Sequence, residues 1–379
     1  MCSAARRPKL PALLLSLALL LGLAAPAQAD TPRIVTSILP VHSLVAALAG
    51  DTHEVELLVP ASASPHGYAM RPSEARRLQQ ADLVIWVGPE LEGFLERPLR
   101  GISDRATVIS LMHDLDLDLL EGRSGGVWEG HHHHGDTESD AHAHEEDHDH
   151  HGHDHGHGNG HGHDHDGQHA HGSEHAESAA ADDHGHAHGH EHTDGDEHGH
   201  GHTHGDHDSH IWLSPGISRA IVDQLADHLA EHSPEHAAAI RENRERLLER
   251  IDTLDATLAE QLEPVRDQPF MVFHDAYQYF ERHYGLNAAG SISIDPSRMP
   301  GARRLAELRT RLAEGDVACL FTEPQFRPAL AETVAAGTAT RLGMLDPIGA
   351  DLEPGPDAWF ELMQGMADGF TDCMAPDAR

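Results

Sequence analysis

The run SPEHAAAIRENRERLLERIDTLDATLAEQLEPV, residues 233–265, decides the architecture. Ser233 can cap a helix, and Pro234 suits its first turn. From there to about Val265 the apolar residues Ile240, Leu247, Leu248, Ile251, Leu254, Leu258 and Leu262 recur at helical spacing without a break. At 1.5 Å per residue such a helix spans roughly 45 Å, enough to reach from one lobe of a protein to another. The flanking sequence has a different rhythm. Upstream, Arg33–Ile38 reads as a buried strand, Val41–Ala49 as an apolar helix stopped at Gly50, and Glu54–Val59 as a strand stopped by Pro60. Ser73–Gln80 then reads as a short polar helix and Leu83–Val87 as a third strand. Downstream, Phe270–Phe273, Val317–Phe321 and Arg341–Leu345 read as strands, with helices over Tyr277–Tyr284, Ala302–Ala313 and Ala329–Ala336. Strands alternating with helices indicate parallel sheets covered by helices. The expected fold class is therefore α/β, with two parallel-sheet lobes joined by one long helix. Residues 30–130 form the N-terminal lobe, which 210–233 completes; 234–265 form the helix and 266–379 the C-terminal lobe.

The chain begins with a targeting segment. Arg6, Arg7 and Lys9 form a basic start, Leu10–Ala25 is almost wholly apolar, and Ala27-Gln28-Ala29 offers small residues at a cleavage site. Residues 1–29 are read as a signal peptide, because the apolar run is shorter than the roughly 20 residues of a spanning helix. The formal net charge is −37, with Lys+Arg 26 against Asp+Glu 63. That balance argues against nucleic acid or anionic membrane as partners, both of which need basic surface. Two cysteines, Cys319 and Cys373, follow the signal. In an oxidising compartment an even pair suggests a disulfide closing a loop of about 54 residues, worth roughly 4 kcal/mol on a chain-entropy model; two free thiols are the alternative.

Residues 131–209 are a low-complexity insert. With His210 included, the stretch carries 29 of the 38 histidines, 20 Asp+Glu and no Lys or Arg. It has no apolar residue other than Ala up to 209, so nothing offsets the entropy of ordering it, and a disordered loop is expected. Neutral imidazole is the commonest metal ligand, and His-rich tracts read as metal-binding. Three further histidines occupy defined places. His66 lies in the loop after the second strand, His210 stands where ordered chain resumes, and His274 ends the strand that begins at Phe270. Loops at the carboxyl ends of parallel strands are where open α/β sheets bind ligands.

These segments together carry a resemblance. Pro65-His66-Gly-Tyr-x-x-Arg71-Pro-Ser, Ala81-Asp-Leu-Val-x-Trp-Val-Gly-Pro-Glu90, the His-rich run, His210-x-Trp-Leu-Ser-Pro215, Phe273-His274-Asp-Ala-Tyr277, Thr322-Glu-Pro-Gln-Phe-Arg327-Pro and Leu345-Asp346-Pro347 occur in that order. The chain resembles the ZnuA-type zinc-binding proteins of ABC uptake systems, within the cluster A-I (cluster 9) metal-binding proteins. The resemblance implies a metal in the cleft between the lobes, held by His66, His210 and His274. The manganese-type relatives carry Glu in place of His274. Three imidazoles with at most one oxygen suit tetrahedral Zn2+, and oxygen-rich sites suit Mn2+. For the fourth position the resemblance offers Asp346 or water; a Glu preceding the first histidine, used by some relatives, is closed here by Pro65. Glu323 and Arg327 match a motif that implies supporting or ion-pair roles, and Cys319 and Cys373 match a pair that some relatives join. The implied function is capture of Zn2+ in the periplasm and delivery to a membrane permease with its cytoplasmic ATPase, by a monomer that is not an enzyme. The alternatives are a manganese or other divalent-metal carrier, and a metal buffer without a transporter. A zinc hydrolase is disfavoured because no His-Glu-x-x-His spacing occurs.

Overall fold

A computed structural model describes residues 31–123, 128, 207–293 and 300–375 of the chain. The signal segment 1–29 and most of the His-rich insert lie outside the described residues. The first lobe opens with β1 (Arg33–Thr36), α1 (Leu39–Ala49), β2 (Glu54–Leu57), α2 (Pro72–Gln79) and β3 (Leu83–Trp86). The short helices α3 (Pro89–Glu92) and α4 (Glu96–Arg100), strand β4 (Thr107–Ser110) and helix α5 (Leu111–Asp114) follow. After the insert come α6 (Pro215–His232) and α7 (Ala237–Leu262). The second lobe runs β5 (Phe270–His274), α8 (Gln278–Tyr284), β6 (Ala288–Ser293), α9 (Ala302–Ala313), β7 (Cys319–Thr322), α10 (Ala329–Ala335), β8 (Arg341–Met344) and α11 (Ala358–Met374).

Each lobe holds one four-stranded sheet, ordered β2-β1-β3-β4 and β6-β5-β7-β8, and every pairing is parallel. Parallel strands need both faces covered, which accounts for runs such as Leu83-Val-Ile-Trp86 being buried at every position. The strand order reverses between β1 and β3 in one sheet and between β5 and β7 in the other. Crevices at such reversals, beyond the carboxyl ends of the strands, are where these sheets bind ligands.

The long helix starts from a 3-10 turn at Pro234–His236 and ends in another at Glu263–Val265. Its buried stripe is Ile240, Leu247, Ile251, Leu258 and Leu262, residues brought onto one face by 3.6-residue periodicity. Helices α1 and α6 pack on it from the first lobe and α11 from the second, and α1 also packs directly on α11. One apolar core therefore runs through both lobes, joining Ile34 and Leu83 to Phe270, Phe321 and Phe370. Polar ties reinforce it. The Trp359 backbone N–H donates to Ser43 Oγ (2.9 Å), the Trp359 indole to the carbonyl of Trp212 (2.9 Å), and the Trp212 indole to the carbonyl of Pro347 (2.7 Å). Cys319 on β7 and Cys373 on α11 form a disulfide. Helix α11 also approaches β8 closely: a Cβ at Gly369 would lie 2.6 Å from the Met344 carbonyl oxygen.

Candidate metal centre

His274 is the last residue of β5, and Glu323 immediately follows β7, so adjacent strands at the reversal of the second sheet deliver both. His66 comes from the loop between β2 and α2. That loop is fastened by the Tyr68 hydroxyl donating to Glu74 Oε1 (2.8 Å), by Glu74 Oε2 accepting the Arg71 backbone N–H (2.7 Å), and by Arg77 donating to the Leu57 carbonyl (2.9 Å). His210 precedes a 3-10 turn, Ile211–Leu213, buried at all three positions. The three rings converge. His66 Nε2 and His274 Nε2 each lie 3.3 Å from His210 Nε2, and all three ligand atoms fall within 4.8 Å of one another. His210 and His274 are buried and His66 is half-buried.

The opposite side of two of these rings is committed. His210 Nδ1 lies 2.7 Å from Asp208 Oδ1, and His274 Nδ1 lies 2.6 Å from Glu323 Oε1. An ionised carboxylate only accepts, so the proton in each pair sits on Nδ1 and each Nε2 presents a bare lone pair. Two such lone pairs facing each other at 3.3 Å cannot hydrogen-bond; a cation between them turns the repulsion into ligation. A metal with M–N of about 2.0–2.1 Å and tetrahedral angles holds its nitrogens about 3.3–3.4 Å apart. The two spacings to His210, 3.3 Å each, match that value.

Glu323 lies directly beside His274. Tyr277, fully buried nearby, has its phenol pushed well up by burial and by the Glu323 and Asp346 charges. Asp346 stands outside the three-histidine group. Its Oδ1 accepts from Gln325 Nε2 (2.8 Å) and from the backbone N–H groups of Ile348 (3.2 Å) and Gly349 (2.9 Å), and its Oδ2 from Ala350 N–H. The carboxylate thus caps the turn that closes one wall of the centre. Arg327 is exposed at the surface.

Asp208 is the functional residue that sequence reading passed over, because His207-Asp-Ser-His210 continues the composition of the insert. The described residues resume at His207, and this junction is tied to the first lobe. His207 bridges Glu121, the Asp208 N–H donates to the Leu120 carbonyl (2.8 Å), and Asp208 and Ser209 are buried. The Tyr279 hydroxyl ties both ends of this junction, accepting from Leu120 N–H (3.0 Å) and donating to the Asp208 carbonyl (2.9 Å). Beside it Arg123 pairs with Asp275 (3.4 Å) and with Glu281, and stacks over Trp128 at 4.0 Å. Burial pushes Asp275 up to about 6 and Glu281 up to about 7, against the opposing pull of the Arg123 charge.

The family model described as "Zinc-uptake complex component A periplasmic" (ZnuA) matches residues 34–373. The chain belongs to the ZnuA family. Among its ZnuA relatives, a "High-affinity zinc uptake system protein ZnuA" of Paracoccus denitrificans is 40% identical over 365 residues, covering 96% of this chain and 98% of that one. The protein of the same description from Brucella suis is 39% identical over 342 residues, covering 90% and 91%. In fold the chain is similar to a crystal structure of ZnuA (TM-score 0.60, 20% identity, covering 90% of this chain and 99% of that one). It is likewise similar to the periplasmic zinc binding protein TroA from Treponema pallidum (TM-score 0.64, 15% identity, 91% and 99%).

Proposed function

We propose that this chain captures Zn2+ in the periplasm at His66, His210 and His274 and delivers it to a membrane permease powered by a cytoplasmic ATPase. The observation that carries the reading is the pair of Nε2 lone pairs brought to 3.3 Å while Asp208 and Glu323 hold the Nδ1 protons away from the centre. ZnuA membership and the names of the relatives agree with zinc as cargo and with the periplasm as location. Among the described residues no helix is long and apolar enough to cross a membrane.

In this reading the carboxylates fix the ring orientations before the ion arrives, so little ordering entropy remains for binding. Ligation needs neutral imidazole, so protons compete with the metal. Water completes the tetrahedron, and Asp346 holds the turn beside it. The His-rich insert adds weaker, overlapping sites that gather or buffer zinc.

The test is zinc competition against a chelator, joined to growth of a deletion strain under zinc limitation. His66→Ala and His274→Ala are expected to abolish the tight stoichiometric site and to fail in rescuing growth. Tight binding that survives both changes overturns the assignment. Tight binding by the parent without rescue of growth would instead favour a buffer that serves no transporter.

A further inference from the structure

The space into which the three imidazoles open is small, about 10 Å³. That is close to the least that seats the centre of a single water. Its apolar walls come from Pro65, Trp212, Phe326, Pro347 and Ile348. Phe326 is fixed from two sides. It stacks on Phe273 with ring centroids 5.0 Å apart and planes 16° from parallel, and it meets the His274 ring edgewise at 5.8 Å and 78°. Ile348 belongs to the turn that Asp346 caps through the Ile348 N–H.

An ion bound to three imidazoles must find its other ligands within this space. A four-coordinate ion needs one more, whereas a six-coordinate ion needs three, and each water needs about 10–15 Å³ of space for its centre. The chamber has room for the first arrangement and not the second. Zn2+ has no d-electron preference that resists four ligands, whereas Mn2+ favours six, mostly oxygen. We propose that Phe326, with Ile348 on the same chamber, is a specificity-determining wall: it holds the cargo ion at four ligands and so discriminates against divalent ions that demand six. The proposal rests on the three-histidine reading of the site and adds a residue that touches no metal.

The experiment uses Co2+ as probe on the full mature chain, at less than one equivalent, with His66→Ala as the blank for sites elsewhere. Four-coordinate Co2+ has strong visible bands and six-coordinate Co2+ weak ones. The parent is expected to give strong, His66-dependent bands. Phe326→Ala is expected to weaken them several-fold and to lower the preference for Zn2+ over Mn2+ by about tenfold, the scale of discrimination a pocket wall supplies. Phe326→Leu, which restores bulk without the aromatic stacking, is expected to recover the strong bands, an outcome that lost packing alone does not explain. Strong bands and an unchanged metal preference in a folded Phe326→Ala protein overturn the proposal while leaving the three-histidine site intact. Absence of His66-dependent bands in the parent overturns both. If Phe326→Ala does not fold, Ile348→Ala decides in its place: weakened bands support the wall and unchanged bands refute it.

Discussion

Replacing Asp208 by Asn isolates the contribution of one charge to the metal centre. Asp208 Oδ1 accepts both the His210 backbone N–H (3.0 Å) and the ring Nδ1–H (2.7 Å). Asn keeps a carbonyl oxygen for these two donors and removes the negative charge. Hydrogen bonds to charged groups are worth about 1.5–3 kcal/mol and neutral ones about 0.5–1.5, so the loss is about 1–2 kcal/mol. That corresponds to zinc binding about 5–30-fold weaker, overlapping the roughly 10–100-fold range for partners of ligating histidines. Asp208→Ala, which leaves both donors without an acceptor in a buried position, is expected to cost more. The assay is competition with a chromophoric chelator on the mature chain, with less than one equivalent of zinc so that the tightest site fills first. An Asp208→Asn protein that stays within about twofold of the parent would show that other contacts orient the His210 ring, and the argument from the committed Nδ1 proton would fail.

Glu92 tests the electrostatics of the first lobe away from the metal. It is fully buried, accepts the Gly88 backbone N–H at 3.0 Å, and burial raises its pKa from 4.5 to about 7. The folded chain binds the proton more tightly than the unfolded one, so apo-protein stability falls as pH rises from about 4.5 to about 7. At about 1.4 kcal/mol per unit the decline is about 3–4 kcal/mol. Glu92→Gln is expected to flatten it in urea melts at pH 5 and 8; an unchanged slope refutes the assignment. Arg123→Met strands Asp275 and Glu281 as buried charges, at a cost of about 3–5 kcal/mol by denaturant melts, and adding Glu281→Gln is expected to recover part of that loss. Gly369→Ala is expected to lower stability by about 1–3 kcal/mol in thermal melts, because its Cβ meets the Met344 carbonyl of β8 while the disulfide ties α11 to the neighbouring strand β7.

The architecture was legible wherever periodicity was strong. The apolar positions of α7 stood out because they recur over seven turns, β3 because it is apolar at every residue, and β5 because it is apolar up to His274. Strand β6 carries no such mark: Ala-Ala-Gly-Ser-Ile-Ser lacks both β-branched density and alternation, and its conformation comes from pairing with β5. Helix α11 lies beyond the last strand to which the sequence rhythm was followed. In the site, His66, His210 and His274 were legible through their motifs, and the structure draws the three together. Asp208 was hidden by its surroundings, since an Asp two residues before a His looks like every other Asp of the insert. What distinguishes it is burial, a property of the folded junction and not of local composition. Asp346 illustrates the converse: the motif brings a carboxylate to the neighbourhood of the cleft, and local backbone N–H groups engage both of its oxygens.

The unbroken core beneath the cleft constrains how an ion can leave. Prying the halves apart would unseat Trp212 and Trp359 together, and each indole accounts for about 4–6 kcal/mol of buried surface. Two of them approach the whole stability of an ordinary domain, about 5–15 kcal/mol. The strap carrying His66 is a far cheaper exit, since it is half-exposed and fastened by a handful of hydrogen bonds around Glu74 and Arg77. If the ion sits on these three imidazoles, an acceptor that tugged this strap would strip one of them away and leave the other two, rigidly propped, as a weak and leaky perch.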